Sequence, residues 1–409
     1  MEIARKHTGI YVLLFQLCVI FNSVLGSDAV YYELSKFVML IFFCAMIFCI
    51  MESGFKIKVG TGLVLLIIFS LYSFLSLLWS HYQDVAMRQF VTQIQLYILC
   101  FFSYVLMQER GNTEDYINAM YVSGFVMIIW ALYKYGGLSS YLLVMQTGTR
   151  LGGEIANENT YGLVFSNAAF SALYYAVLKG KKVHYLCLIP FVFFGLSSGS
   201  KKALLMVVVA VLGLTITKYG LKRVYKTILA AVAVFVVAWF VISLPIFSTI
   251  NERMISFLSG EKNVSDLTRE RMIEFGLDLF KQHPFFGYGL SNYGVYYGGT
   301  YSHNNFVEVV VSLGLFGFIL YYLMYGIPIA TLLHKWFKAR RLESENIMLL
   351  LLLVVDLVFG YGMVQFYGKS SWLLLGTALA ANDKLHCSVG HFNQQEIKDA
   401  GYYFEKTGN

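Results

Sequence analysis

The residues best fitted to do chemistry in this sequence are a few cations and one histidine, each at the edge of an apolar run. Arg150 precedes the Gly-Gly and asparagine pattern of "RLGGEIANENTYG", which holds Asn157 and Asn159. Lys201 and Lys202 follow Ser200 in "LSSGSKKALL". Arg269, Arg271 and His283 lie in "SDLTRERMIEFGLDLFKQHPFFGYGLSNYG", and His303 lies in "YSHNNFVEVVVSLGLFG". Guanidinium is a rigid two-pronged donor that matches phosphate, and several converging cations hold a pyrophosphate. A neutral imidazole takes a proton from a hydroxyl within hydrogen-bond reach. Together these groups suit displacement of a pyrophosphate by a hydroxyl. The cations themselves would neutralise the leaving group, so that chemistry requires no bound metal and no other cofactor.

The elements that must position these residues are membrane helices. Hydrophobic residues make up 58% of the 409 and charged residues 13%, with a mean hydropathy of +0.63. Soluble domains run at about 45–50% apolar and about 25% charged. Long apolar runs repeated along the chain mean a polytopic, all-α integral membrane protein, and they are too long for barrel strands. Spans are expected at 9–26, 34–51, 61–79, 90–107, 116–136, 160–178, 183–198, 202–217, 226–248, 305–333, 346–367 and 370–382, about twelve in all. The expected organisation is helices over 1–248, one large polar segment over 249–304, helices over 305–382, and a polar tail over 383–409.

The net charge of +7 does not point to nucleic acid, because the basic residues cluster in short loops between spans. Lys56 and Lys58, Arg110, Lys179 with Lys181 and Lys182, Lys218 with Lys222, Arg223 and Lys226, and Lys335 with Lys338, Arg340 and Arg341 all fall on one side. The opposite loops hold Arg88, Lys134, Arg150 and Lys369 nearly alone. By the positive-inside rule both termini are cytoplasmic, and the 249–304 segment and His303 face outward. Cys18, Cys44, Cys49, Cys100 and Cys187 fall within apolar runs and Cys387 in the tail, with no CxxC pair. Neither a disulfide framework nor a zinc site is supported.

Each chemical candidate also has a purely structural reading. Arg150 fits a snorkelling side chain, and Lys201 and Lys202 fit interface anchors. The arginines of "RERMIEFGLDLFKQ" fit the solvated side of an amphipathic helix whose apolar face is Met272, Phe275, Leu279 and Phe280. "HPFFGYG" reads as a helix stop and a glycine turn. Asn305 and Glu308 fit a capping arrangement. Asp356, inside a span, is either a site residue or a buried hydrogen-bonding group.

In their order, "RLGGEIANENTYG", "SSGSKKALL", "RERMIEFGLDLFKQHPFFGYGLSNYG" and "YSHNNFVEVVVSLGLFG" resemble the motifs of the O-antigen ligase and O-antigen polymerase superfamily. The resemblance implies a metal-independent, membrane-embedded glycosyltransferase of the C type, with one large extracytoplasmic loop between its ninth and tenth helices. It implies a bacterial inner-membrane location, with donor glycan on undecaprenyl pyrophosphate and a sugar or lipid A–core hydroxyl as acceptor. A chain-length regulator is a further implied partner. By position, His303 matches the family's base, and Arg150 and Arg269 match its pyrophosphate-binding arginines. Lys201 stands where the family has arginine, Arg271 is an adjacent candidate, and Asn159, Asn304 and Glu308 are supporting residues. Ile273 replaces a tryptophan common in the family. The tyrosine-rich "GLSNYGVYYGGTYSHNNF" is similar to surface-polysaccharide polymerases, so a polymerase is expected ahead of a ligase. A transporter of lipid-linked sugars is a third reading, although the sequence shows no clear internal repeat of the kind transporters carry.

Overall fold

The computed structural model describes residues 2–147, 149–155, 157–220, 264–339 and 342–385, with a few isolated positions between 225 and 255. Side chains are described except at residues 2–8, 201, 204, 264, 265 and 339. Every regular element among the described residues is a helix. They are α1 (Glu2–Leu25), α2 (Tyr32–Glu52), α3 (Thr61–Leu75, extended by a 3-10 turn Ser76–Trp79), α4 (Gln83–Glu109), α5 (Thr113–Lys134), α6 (Leu138–Gln146) and α7 (Glu158–Leu173, continued by a π turn Tyr174–Leu178). After them come α8 (His184–Ser197), α9 (Lys201–Tyr219), α10 (Val264–Gln282), α11 (Asn292–Tyr296), α12 (Asn305–Ala339), α13 (Ser344–Phe359) and α14, over 369–385.

Six of these stretches are long and apolar enough to cross a membrane: Tyr32–Glu52, Thr61–Trp79, Gln83–Glu109, Thr113–Lys134, Glu158–Leu178 and Asn305–Lys338. Shorter apolar helices cover Gly9–Leu25, His184–Ser197 and Leu205–Tyr219. The expected span at 226–248 lies outside the described residues, as does most of 249–263 and the tail beyond Leu385. The expected span at 346–367 is corrected: α13 ends at Phe359, and residues 360–368 are irregular. The short helix α6 was not anticipated.

Burial sorts the helices into inner and outer. The α7 stretch is 83% buried, against 28% for α2, so α7 is the central post and α2 faces lipid. Small residues let α7 approach its neighbours closely, as in membrane bundles generally. A Cβ on Gly162 would lie 2.6 Å from the Ser198 hydroxyl oxygen. One turn on, the Ser166 hydroxyl donates to the Ala203 carbonyl at 3.0 Å, tying α7 to the start of α9. Two acids inside the bundle are held structurally. Asp356 accepts from Tyr325 (2.8 Å), Gln365 (2.8 Å) and Ser371 (3.0 Å), which favours the hydrogen-bonding reading. Asp383 accepts from the Gly62 amide (3.0 Å) and the Tyr104 hydroxyl (2.7 Å), so α14 satisfies the N-terminus of α3.

α12 is broken at Gly314, where φ is 65° and ψ is −169°. The His-Pro turn after α10 fills the break. Tyr288 and Gly289 donate their amides to Val311 and Ser312 at 2.9 Å, and Leu315 donates to Pro284 at 2.8 Å. Backbone that leaves helical geometry near lipid needs such partners, because no water is there to replace them. A Cβ at Gly314 would lie 2.2 Å from the Phe285 carbonyl oxygen. Gly314→Ala is therefore expected to lower the protein recovered in membranes severalfold, as read on immunoblots. Wild-type abundance with an unchanged melting temperature would contradict this account of the turn.

Candidate functional site

The first two motifs are joined through Arg150, which sits in the loop between α6 and α7. Its Nε donates to the Ser198 carbonyl at 2.9 Å and one terminal nitrogen donates to Asn159 Oδ1 at 3.3 Å. Glu158 lies 3.7 Å from the other terminal nitrogen. Asn157 caps α7 by accepting from the Thr160 amide at 2.9 Å, which leaves Asn159 in the first turn to meet Arg150. Ser200 donates to the same Asn159 oxygen at 3.2 Å. Arg150 is thus braced within a network, and its side chain is only 23% exposed, unlike a snorkelling residue.

Lys201 and Lys202 open α9. The side chain of Lys201 lies outside the described residues. Lys202, named beside Lys201 from the sequence but not matched to the family's arginine, reaches across to Gly362. Its ammonium donates to the Gly362 carbonyl and is crowded against that glycine. Lys202 leads the row Met206, Ala210, Leu214 at four-residue spacing, and all three of those residues are buried.

Helical spacing separates the two arginines of α10. Met272 and Leu279 are buried, Phe275 and Phe280 are partly so, and Arg269 extends that face toward the start of the helix. Arg269 makes a 3.7 Å ion pair with Asp266. Arg271 is exposed and stands about 200° round the helix from Arg269.

His303 lies in a turn that is pinned at both ends and has φ 54°, in the left-handed region that is costly for a residue with a Cβ. On one side the Ser302 amide donates to the buried Glu308 carboxylate at 3.0 Å. On the other, Asn304 Oδ1 accepts from the amides of Phe306 (2.9 Å) and Val307 (3.1 Å). Asn304 is therefore the cap of α12, which corrects the expectation that Asn305 pairs with Glu308 in that role. Asn305 instead grips residues 360–366. Its amide donates to the Gly360 carbonyl at 2.7 Å, and its Oδ1 accepts from Gln365 (2.9 Å) and Phe366 (2.7 Å). Asn304 Nδ2 donates to the Tyr361 carbonyl at 3.2 Å. The histidine turn and Lys202 thus hang from the same irregular stretch after α13.

The electrostatics link these groups pairwise. Burial, then the positive charges of Arg269 and Lys202, hold the His303 imidazole below its ordinary pKa. Burial, then Arg269 and Arg150, push the Lys202 ammonium down to about 8. Such mutual repulsion is sizeable only over short, poorly screened distances. Arg150, Lys202, Arg269 and His303 come from four separate parts of the chain, and their charges act on one another. Neighbouring cations of this kind suit a polyanion.

No curated protein sequence matches this chain. Residues 186–322 match the family model described as O-antigen ligase (Wzy_C), a stretch that takes in Lys202, Arg269 and His303 and stops short of Arg150 and Asn159. That match, from α8 to the middle of α12, supports the chain's place in the O-antigen ligase and O-antigen polymerase superfamily of membrane enzymes.

Proposed function

We propose that the protein polymerises lipid-linked oligosaccharide repeat units at the outer face of a bacterial inner membrane. Glycan on undecaprenyl pyrophosphate is the donor and a sugar hydroxyl of a second lipid-linked unit is the acceptor. The observation that carries this reading is a linked set of charges: Arg269 and Lys202 both act on the His303 imidazole and lower its pKa, and Arg150 acts in turn on Lys202. His303 takes the acceptor hydroxyl proton as the oxygen bonds to the anomeric carbon of the donor. The bond from that carbon to the pyrophosphate oxygen breaks, and the pyrophosphate leaves with the electron pair. Arg150, Lys202 and Arg269 receive its growing charge. Attack and departure on opposite faces of the carbon invert its configuration. Lys202 takes the place given to Lys201 on sequence grounds, Arg271 has no part, and Asn159, Asn304 and Glu308 position the charged groups.

A second reading is favoured by the description of the matched family: a ligase that passes finished polymer to a lipid A–core hydroxyl with the same residues. Expression in a strain lacking its polymerase, and separately in one lacking its ligase, separates the two. A restored ladder of bands in the first strain is the expected result. Restored attachment of polymer to the core in the second alone would replace polymerase by ligase. Restoration in neither, with the protein present in the membrane, would remove both.

A further inference from the structure

Two exposed tyrosines flank the histidine turn without contributing to the charge network. The ring of Tyr301 lies against the His303 imidazole, with centroids 4.3 Å apart and planes inclined at 48°. Tyr301 is 45% exposed. Tyr361 is 69% exposed, and its carbonyl is bonded to the Asn304 side chain, one residue from His303. The chain leading into Tyr301 borders open space, since a Cβ on Gly298 or Gly299 would meet nothing within 4 Å. An aromatic face beside a base, next to an open approach, suits a ligand with an apolar face and several hydroxyls. Sites for small molecules combine aromatic walls with a few placed polar groups in this way.

We infer that Tyr301 and Tyr361 form the acceptor-sugar subsite, stacking on the C–H face of a pyranose so that one of its hydroxyls lies against His303. The inference rests on the reading of His303 as the base. The pyrophosphate half of the reaction is handled by the cations, whereas the acceptor offers no charge for them to grip. Something else must hold it at the imidazole, because proton transfer needs the hydroxyl within about 2.6–3.2 Å of the nitrogen. A ring inclined against that imidazole provides a wall on the side where the sugar must lie. The plain alternative is that both tyrosines belong to the aromatic belt at the membrane surface.

The test uses the full-length protein in nanodiscs with undecaprenyl-pyrophosphate oligosaccharide as donor. Two probe acceptors lack pyrophosphate and so serve only as acceptors: a short alkyl glycoside of the repeat unit, and delipidated core oligosaccharide. Tyr301→Ala and Tyr361→Ala are each expected to raise the acceptor KM about tenfold, the scale of one lost aromatic contact. The donor KM should stay at its wild-type value and kcat should fall much less than KM rises. Tyr301→Trp should restore the acceptor KM. Should Tyr301→Ala lower the melting temperature, Tyr301→Leu, which keeps apolar bulk but no ring, carries the same expectation. An unchanged acceptor KM in the folded alanine variants assigns the rings to the membrane belt and overturns the subsite. A fall in kcat alone makes Tyr301 a positioning residue for the imidazole and also overturns it. If the wild type transfers to neither probe, the reading of His303 as base to a sugar acceptor fails first.

Discussion

Replacement of His303 by alanine is expected to cut glycan transfer by about 10²–10⁴-fold, the usual contribution of a positioned general base. The protein should still reach the membrane in normal amount, because the turn is held by Ser302, Asn304 and Glu308 and not by the imidazole. The pH profile makes the prediction sharper. A base must be neutral to act, and the His303 pKa is held below its ordinary value of 6.5, so the group is uncharged at pH 7. Activity should be flat near neutrality and should fall only as pH drops through that lowered value. Replacing Arg269 or Lys202 by a neutral residue removes a repelling charge, lets the imidazole pKa rise, and should move the acid limb to higher pH. An acid limb that stays in place in both variants would mean that the histidine does not sense those cations. Full transfer by His303→Ala would refute the base assignment.

The second large effect falls on the cations. Arg150→Ala and Arg269→Ala should each lower kcat by about 10²–10³-fold, the scale seen when a preorganised donor to developing charge is removed. Lys202→Met should show a comparable loss, while Lys201→Met should stay near wild type. The comparison of the two lysines is decisive, because the variants are adjacent and chemically identical. A strong loss at Lys201 with none at Lys202 would return the role to the first lysine. Arg271→Ala is expected to be silent. Lys202→Arg keeps the charge but must fit a planar fork where an ammonium packs against Gly362, so recovery should be partial.

These two pairs show where the sequence was legible. Arg269 and Arg271 sit on an amphipathic helix, and the apolar stripe through Met272 and Leu279 points to the first of them. α9 is apolar on every face, as a membrane helix is, so nothing in its pattern distinguishes Lys201 from Lys202. Lys202 is marked by its bond to Gly362, which is distant in the chain. The same blindness affected the end of α13. The stretch "GYGMVQFYG" is apolar enough to extend a span, yet its backbone is irregular and is held by Asn305, Gln93 and Trp372 from elsewhere. The cap of α12 was placed one residue late because two asparagines stand side by side and either fits the local pattern. Asp356 was visible as an acid in an apolar run, but its three donors come from other segments and could not be read from its neighbours.

The carbonyls of Gly360, Tyr361 and Gly362 are taken in succession by the Asn305 amide, the Asn304 side chain and the Lys202 ammonium. Three consecutive peptide units therefore tether the His303 turn to the Lys202 ammonium. The tether is short, so it limits how far the turn and the ammonium can move apart. Arg150 and Arg269 arrive from the α6–α7 loop and from α10, off this tether, and pair instead with Glu158 and Asp266.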